Sequence, residues 1–266
     1  MCLIDYHHHT SNSFDSKAEM EDICERAIDK GIEEICFTDH FSVNPKLPTY
    51  GFMDFNRYFR EIEACCKKYN GRLTIRTGIE LCEPHLMMNK YEEALGGKQF
   101  DFILGSVHNI DEEKLRLFMV NKDPYEIYSR YFEEVYELVS KSDIDVIAHL
   151  DLMKRYAKTP IGNYRFSDFQ PIIKRILLKA IERGIGIEIN TSGLANPKVE
   201  ETFPTIEVVK LYKELGGEII TIGSDSHRGE TVGSHVKDAL QIAKEADFKY
   251  VNTFENRRAK MMKIEN

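Results

Sequence analysis

A chain of 266 residues, 42% hydrophobic and 30% charged, has the size and balance of one soluble domain, and a β/α barrel of roughly 200–250 residues fits it. A formal charge of −8 without a dense Lys/Arg cluster argues against a long nucleic acid as partner, yet leaves room for a small anion at a locally positive site. No apolar run approaches the ~20 residues of a membrane span, and MCLIDYHHHT lacks the basic segment and apolar core of a signal peptide, so no membrane partner is expected and the cytoplasm is the expected compartment.

Short β-rich runs alternate with longer amphipathic ones, the pattern of β/α units around a parallel sheet. In chain order the pattern predicts a strand over 3–6, then a helix over 17–30 that Asp15 or Ser16 is placed to cap and Gly31 to end. A second strand over 34–38 leads into an irregular loop, 41–54, with Pro45, Pro48 and Gly51; following a strand end directly, it is a candidate lid. A helix over 55–68 and a strand over 73–79 come next, and 84–97 reads equally as one helix or two turns. Strands over 102–107, 145–148, 186–190 and 219–222 then alternate with helices over 124–140, 168–183, 205–215 and 232–245. No linker, low-complexity tract or internal repeat divides this α/β chain, so residues 1–266 are expected to form one domain. Cys2, Cys24, Cys36, Cys65, Cys66 and Cys82 include no zinc-finger pair and read as reduced, mostly buried thiols. Pattern alone leaves the oligomeric state open.

Most of the nine histidines stand at predicted strand C-termini, where a β/α barrel builds its active site from residues distant in sequence. Asp5-Tyr6-His7-His8-His9-Thr10 ends the first strand, Thr38-Asp39-His40 the second and Gly78-Ile79-Glu80 the third. Gly105-Ser106-Val107-His108 ends the fourth, Ala148-His149-Leu150-Asp151 the fifth and Gly223-Ser224-Asp225-Ser226-His227 the last. His7 and His9, two apart on extended backbone, point to one side while His8 points to the other, a structural or supporting place. Asp225 and His227 repeat that spacing with an oxygen and a nitrogen. Imidazole and carboxylate together suit zinc, manganese or iron, and no cysteine belongs to the pattern. His85 is a candidate for reaching substrate, and His235 reads as a helix-surface residue.

These motifs, in this order and over essentially the whole chain, resemble the polymerase and histidinol phosphatase (PHP) superfamily, and within it the monofunctional histidinol-phosphate phosphatases. The resemblance implies a distorted (β/α)7, TIM-like barrel carrying two or three divalent ions (Zn, Mn or Fe). It puts His7, His9, Glu80 and Asp225 on a first metal, with Glu80 bridging to a second completed by His108 and His149. His40 and His227 would serve a third, joined by Asp15 where many members have a histidine. The activity implied is hydrolysis of L-histidinol phosphate to L-histidinol and phosphate, in histidine biosynthesis, by a metal-activated hydroxide and without a phosphoenzyme. Asp225 or His227 would protonate the departing alkoxide, with Glu80 completing the catalytic set.

Arg155, after the fifth strand, is the candidate phosphate clamp, with Lys154 in reserve and a solvated helix-start cation as the alternative. Asn190 and its neighbours Thr191 and Ser192 are candidates for orienting substrate or, equally, strand-end caps. Glu83 and Asp151 are candidate carboxylates for the ammonium of histidinol phosphate. Phe41, Tyr50, Phe52 and Tyr156 could instead form an aromatic platform for nucleotides or short oligonucleotides, the alternative substrate class. A non-catalytic metal-binding barrel is the third reading, against which stands the completeness of the ligand set.

Overall fold

Seven strands run parallel and pair in chain order: β1 (Leu3–Asp5), β2 (Ile32–Phe37), β3 (Thr74–Cys82), β4 (Phe102–Ser106), β5 (Val146–Ile147), β6 (Gly186–Asn190) and β7 (Ile220–Gly223). The computed structural model describes residues 3–265, which leaves Cys2 outside the described residues. The last strand meets the first just past their hydrogen-bonded cores: Tyr6 N–H donates to Ile222 O and His9 N–H to Ser226 O, both at 2.8 Å. The sheet thereby becomes a nearly closed barrel. A two-residue strand, His40–Phe41, adds to the end of β3 and sets His40 opposite Glu80.

Between successive strands lie α1 (Met20–Asp29), α2 (Phe55–Lys68), α3 (Met88–Leu95), α4 (Pro124–Lys141), α5 (Phe166–Glu182) and α6 (Ile206–Glu214), with α7 (Val236–Glu245) after the last. β4 and β6 are buried at every position, as parallel strands covered on both faces must be. The helices bury one stripe each; in α4 it comprises Ile127, Tyr131, Val135 and Leu138 at four- and three-residue spacing. Asp54 and Asp123 cap α2 and α4 by accepting from the second and third backbone N–H groups, and Gly31 and Gly184, both at positive φ, follow the ends of α1 and α5. Among the described residues no helix is long and apolar enough to cross a membrane.

The structure departs from the sequence pattern in several places, among them a short unpredicted helix after β5, Lys154–Ile161. The first helix starts at Met20 behind Glu19, so neither Asp15 nor Ser16 caps it; Ser16 Oγ instead donates to the carbonyls of His9 and His227, each at 3.0 Å. The 84–97 region resolves into a 3-10 turn, Pro84–Leu86, and α3. Beyond α7 an antiparallel hairpin, β8 (Tyr250–Glu255) and β9 (Arg258–Lys263), went unpredicted because β9 is a charged, largely exposed strand with no buried face to set a period.

That hairpin closes the N-terminal mouth of the barrel. Phe254 N–H donates to the Tyr6 hydroxyl at 2.9 Å, its ring lies 4.8 Å from that of Phe102, and Asn252 Oδ1 accepts Ile220 N–H at 2.8 Å. Arg257, in the turn, pairs with Asp143 at 2.7 Å and Asp145 at 3.1 Å ahead of β5. Truncating so buried a ring removes its transfer free energy and leaves a cavity. Phe254→Ala is therefore expected to cost about 3 kcal/mol in urea unfolding, and a loss below about 1 kcal/mol would show that the hairpin is peripheral to the core.

Candidate metal centre

The predicted ligands converge at the opposite, C-terminal mouth. His7 and His9 follow β1 on one side of the chain, their rings 5.0 Å apart, while His8 turns outward to within 6.2 Å of the Phe37 ring and 3.1 Å of Asp5 Oδ2. Asp5 is itself fully buried and accepts the N–H groups of Ser224 and Gly233 at 2.8 and 2.9 Å, tying the end of β1 to the loop after β7. Thr10 and Asp39 fasten the second loop in the same way, the Thr10 hydroxyl donating to Asp39 at 2.8 Å.

Glu80 stands at the centre. Its Oε1 lies 3.0 Å from His149 Nε2 and 3.5 Å from His108 Nε2, and its Oε2 lies 2.8 Å from His40 Nδ1, 3.2 Å from His7 Nε2 and 3.5 Å from His9 Nε2. A carboxylate whose two oxygens face two separate sets of imidazoles has the shape of a bridging ligand. Asp225 flanks the set around Oε2, its Oδ1 at 3.3 Å from His9 Nε2 and 3.7 Å from His7 Nε2. On the outer side Asp15 Oδ2 lies 3.4 Å from both His40 Nε2 and His227 Nε2. Four overlapping groups result, each with ligand atoms within 4.8 Å of one another: His7/His9/Asp225, His7/Glu80/His149, His9/His40/His227 and His40/Cys82/His108. The last corrects the reading that no cysteine is near: Cys82, two residues after Glu80 and so on the same side of β3, puts Sγ 3.7 Å from His40 Nδ1.

This donor set fits divalent metal. Imidazole nitrogens and carboxylate oxygens converge from six strand ends, and His9 Nε2, buried and turned toward Glu80 and Asp225, has no hydrogen-bond partner among the described residues. The electrostatics of the metal-free cluster agree. Burial pulls the His7 and His40 rings down, but the carboxylates, Glu188 then Glu80 for His7 and Glu80 for His40, outweigh it and hold both well above the usual histidine range. Burial and then the neighbouring His227 and His40 charges hold His9 well below it, and burial pushes His108 down to about 3. Glu80, opposed by burial but facing the His40 and His7 rings, stays far below the carboxylate range. Protons thus occupy places that cations would take.

Of the remaining candidates, Arg155 lines a cleft of about 250 Å³ that opens over the cluster beside Asp15, His40, His108, Asp225 and His227. Its Nη2 donates to Asp225 Oδ2 and Ser192 Oγ, both at 2.7 Å. Lys154 and Asn190 are corrections. Lys154 is 0% exposed and turned away, its Nζ 3.0 Å from Asp151 Oδ2 and donating to Thr202 O at 3.0 Å, because successive residues at this helix start point about 100° apart. Asn190 is buried behind the ligands, its amide donating to Glu188 Oε2 at 3.1 Å and its oxygen accepting from Ser192. Glu83 and Asp151 are also internal: Glu83 accepts the N–H groups of His108 and Asn109, and Asp151 holds Lys154 and Tyr164. His85 pairs with Glu134 at 2.7 Å and, like Glu83, does not line the cleft. His235 precedes α7, exposed, beside Asp238. Of the four predicted aromatics only Tyr156 lines the cleft; Leu47, Pro48 and Thr49 of the 41–54 loop border it, and so does Phe14.

A model of the PHP domain matches residues 5–192. The chain belongs to the PHP family. Among PHP relatives, a probable histidinol-phosphatase of Clostridium acetobutylicum is 32% identical, covering 94% of this chain and 96% of its own, and a probable histidinol-phosphatase of Thermotoga maritima is 30% identical, covering 94% of each. The crystal structure of histidinol phosphate phosphatase from Lactococcus lactis, complexed with zinc, L-histidinol and phosphate, superimposes with a TM-score of 0.85 at 26% identity over 97% of this chain and 98% of that one. The PHP centre of this chain should therefore release protons when it takes up zinc. Calorimetric titration in buffers of different ionisation enthalpy should record that release, with apparent affinity weakening as pH falls; uptake without proton exchange would contradict the protonated cluster described above.

Proposed function

We propose that this chain is a histidinol-phosphatase, hydrolysing L-histidinol phosphate to L-histidinol and phosphate in the cytoplasmic pathway to histidine. End-to-end similarity to histidinol-phosphatases supports the reading, as do the free thiols of Cys24, Cys36, Cys65, Cys66 and Cys82, which suit a reducing compartment. The observation that carries it is the cleft itself: a donor cluster for divalent ions with the Arg155 guanidinium fastened at its rim against Asp225.

Bound divalent ions would activate the attacking water and neutralise charge on the phosphoryl group. We assign His7, His9, Glu80, His108, His149 and Asp225 to two ions sharing Glu80, and Asp15, His40 and His227 to a third position. Arg155 binds phosphoryl oxygens with its planar fork, held in place by Asp225 and Ser192. Protonation of the leaving alkoxide falls to Asp225 or His227, which stand together beside the cluster, His227 Nδ1 3.6 Å from Asp225 Oδ1. In the metal-free protein burial pushes the Asp225 carboxyl up but His7 and Arg155 outweigh it, and burial lowers the His227 ring but Asp15 and Asp225 outweigh it. No serine, cysteine or aspartate nucleophile is needed.

Phosphate release should be much faster from L-histidinol phosphate than from AMP or a generic aryl phosphate, assayed with zinc, manganese and iron in turn. Turnover of the aryl ester alone would keep a metal phosphoesterase and remove the histidine assignment. Arg155→Ala should lower kcat/KM for histidinol phosphate by on the order of 10²–10³, the range for deleting one preorganised charge-stabilising donor. A fall of less than about threefold, well below that range, would take Arg155 off the phosphate.

A further inference from the structure

Behind the metal-facing side chains lies an acid that the reaction itself does not use. Glu188, in the middle of β6, is 1% exposed between the fully buried Ile187 and Ile189, and it does not line the cleft. A buried carboxylate in an apolar strand is tolerated only when its oxygens are engaged. Here both are: Oε1 lies 2.7 Å from His7 Nδ1, while Oε2 accepts the backbone N–H of His149 at 2.8 Å and the Asn190 amide at 3.1 Å. The two histidines stand on opposite sides of Glu80, His7 Nε2 at 3.2 Å from Oε2 and His149 Nε2 at 3.0 Å from Oε1. His149 also has φ +25°, a conformation rare for a residue with a side chain. The neighbouring strand leaves room for the contact, since a Cβ on Gly223 would lie 2.1 Å from Glu188 Oε1 and 2.4 Å from His7 Cβ.

We propose that Glu188 is a positioning residue that accepts the Nδ1–H of His7, aiming the Nε2 lone pair at the space between Glu80 and Asp225, and that through the same carboxylate it fixes the backbone of His149 on the other side of Glu80. It acts through these histidines and touches neither substrate nor reacting atoms. The inference rests on the metal-centre reading. Partners that orient a ligating histidine in this way typically carry a factor of about 10–100 in metal affinity.

Glu188→Gln keeps the shape and the acceptor for His149 but presents an amide N–H₂ to His7 Nδ1, which must then accept, moving the ring proton to Nε2. Zinc affinity measured by chelator competition should weaken by about 10–100-fold, and ¹⁵N–¹H correlation spectra of the metal-free variant, taken at a pH high enough for the His7 ring to be neutral, should show its proton on Nε2. A variant whose His7 remains protonated on Nδ1 alone overturns the proposal whatever its zinc affinity, since a merely structural role would move the melting temperature and not the tautomer. If the variant fails to fold, zinc-loaded wild type decides: coordination through Nε2 with a hydrogen-bonded Nδ1–H supports the proposal, and coordination through Nδ1 overturns it. Wild-type protein that takes up no zinc would instead remove the metal centre itself.

Discussion

The rest of the site depends on one buried carboxylate. Glu80 has no access to solvent, and five histidine rings lie within 3.5 Å of its two oxygens. An ionised acid in that position is tolerable only if cationic or strongly polar partners surround it, and five rings so close are tolerable only if a negative group sits among them. Neither half can fold into place without the other. Because the rings arrive from three different strand ends and the segment after β2, and Glu80 itself from β3, the constraint reaches the whole barrel: β1, β3, β4 and β5 must close to within hydrogen-bonding distance of a common point. Without cations, protons shared among His7, His40 and His227 balance the acids. Divalent ions in their place would convert a strained arrangement of like charges into a set of bonds.

Stability and chemistry are divided between the two ends. At the N-terminal mouth the hairpin of β8 and β9 contributes rings and paired charges, with Tyr6, Glu34, Arg76 and Glu255 forming a network that has no chemical task. At the C-terminal mouth the polar residues next to the ligands hold the loops. Ser13 Oγ accepts His40 N–H at 2.8 Å and lies 3.2 Å from His9 Nδ1, so a single hydroxyl relates two ligands from different loops. Asp5 and Glu188 extend the same device into the strands, each using backbone N–H groups of a neighbouring segment to fix the residues that face the cleft.

Much of this is legible in the sequence because two periods carry it. Alternation over β1 separates His7 and His9 from His8, and the repeated fall of histidine or acid at the end of an apolar run marks the face of the barrel on which they meet. What escapes is whatever depends on the third dimension alone. Glu188 lies between two isoleucines in a strand buried on both faces, so nothing in the pattern says that it points toward His7 and not toward a helix. Lys154 and Arg155 are adjacent cations, and only the start of a helix turns one toward Asp151 and the other toward Asp225. Cys82 shares a side of β3 with Glu80, a period-two relation that the sequence does contain, but a thiol packed in the core would follow the same period.

The placement of charge around the cleft bears on how a substrate with an ammonium group would be received. The carboxylates of Glu83 and Asp151 are consumed inside the fold, each accepting several hydrogen bonds, and burial pushes Glu83 up to about 7. Asp15, by contrast, lines the cleft and keeps its carboxyl ionised: burial opposes this, but His227 and His40 outweigh it. Lys114, Arg116 and Arg155 line the same cleft, and so does Asp225, which pairs with Arg155 at 2.7 Å. A cleft lined by both acids and cations suits a ligand that carries both charges better than one that is anionic throughout. Of the aromatic side chains, Tyr156 and Phe14 line the cleft, whereas Phe41 is buried in the core and Tyr50 and Phe52 do not line it. The same ligands that a phosphodiester would meet are present, and it is the mixed charge of the lining that suits the proposed zwitterionic monoester.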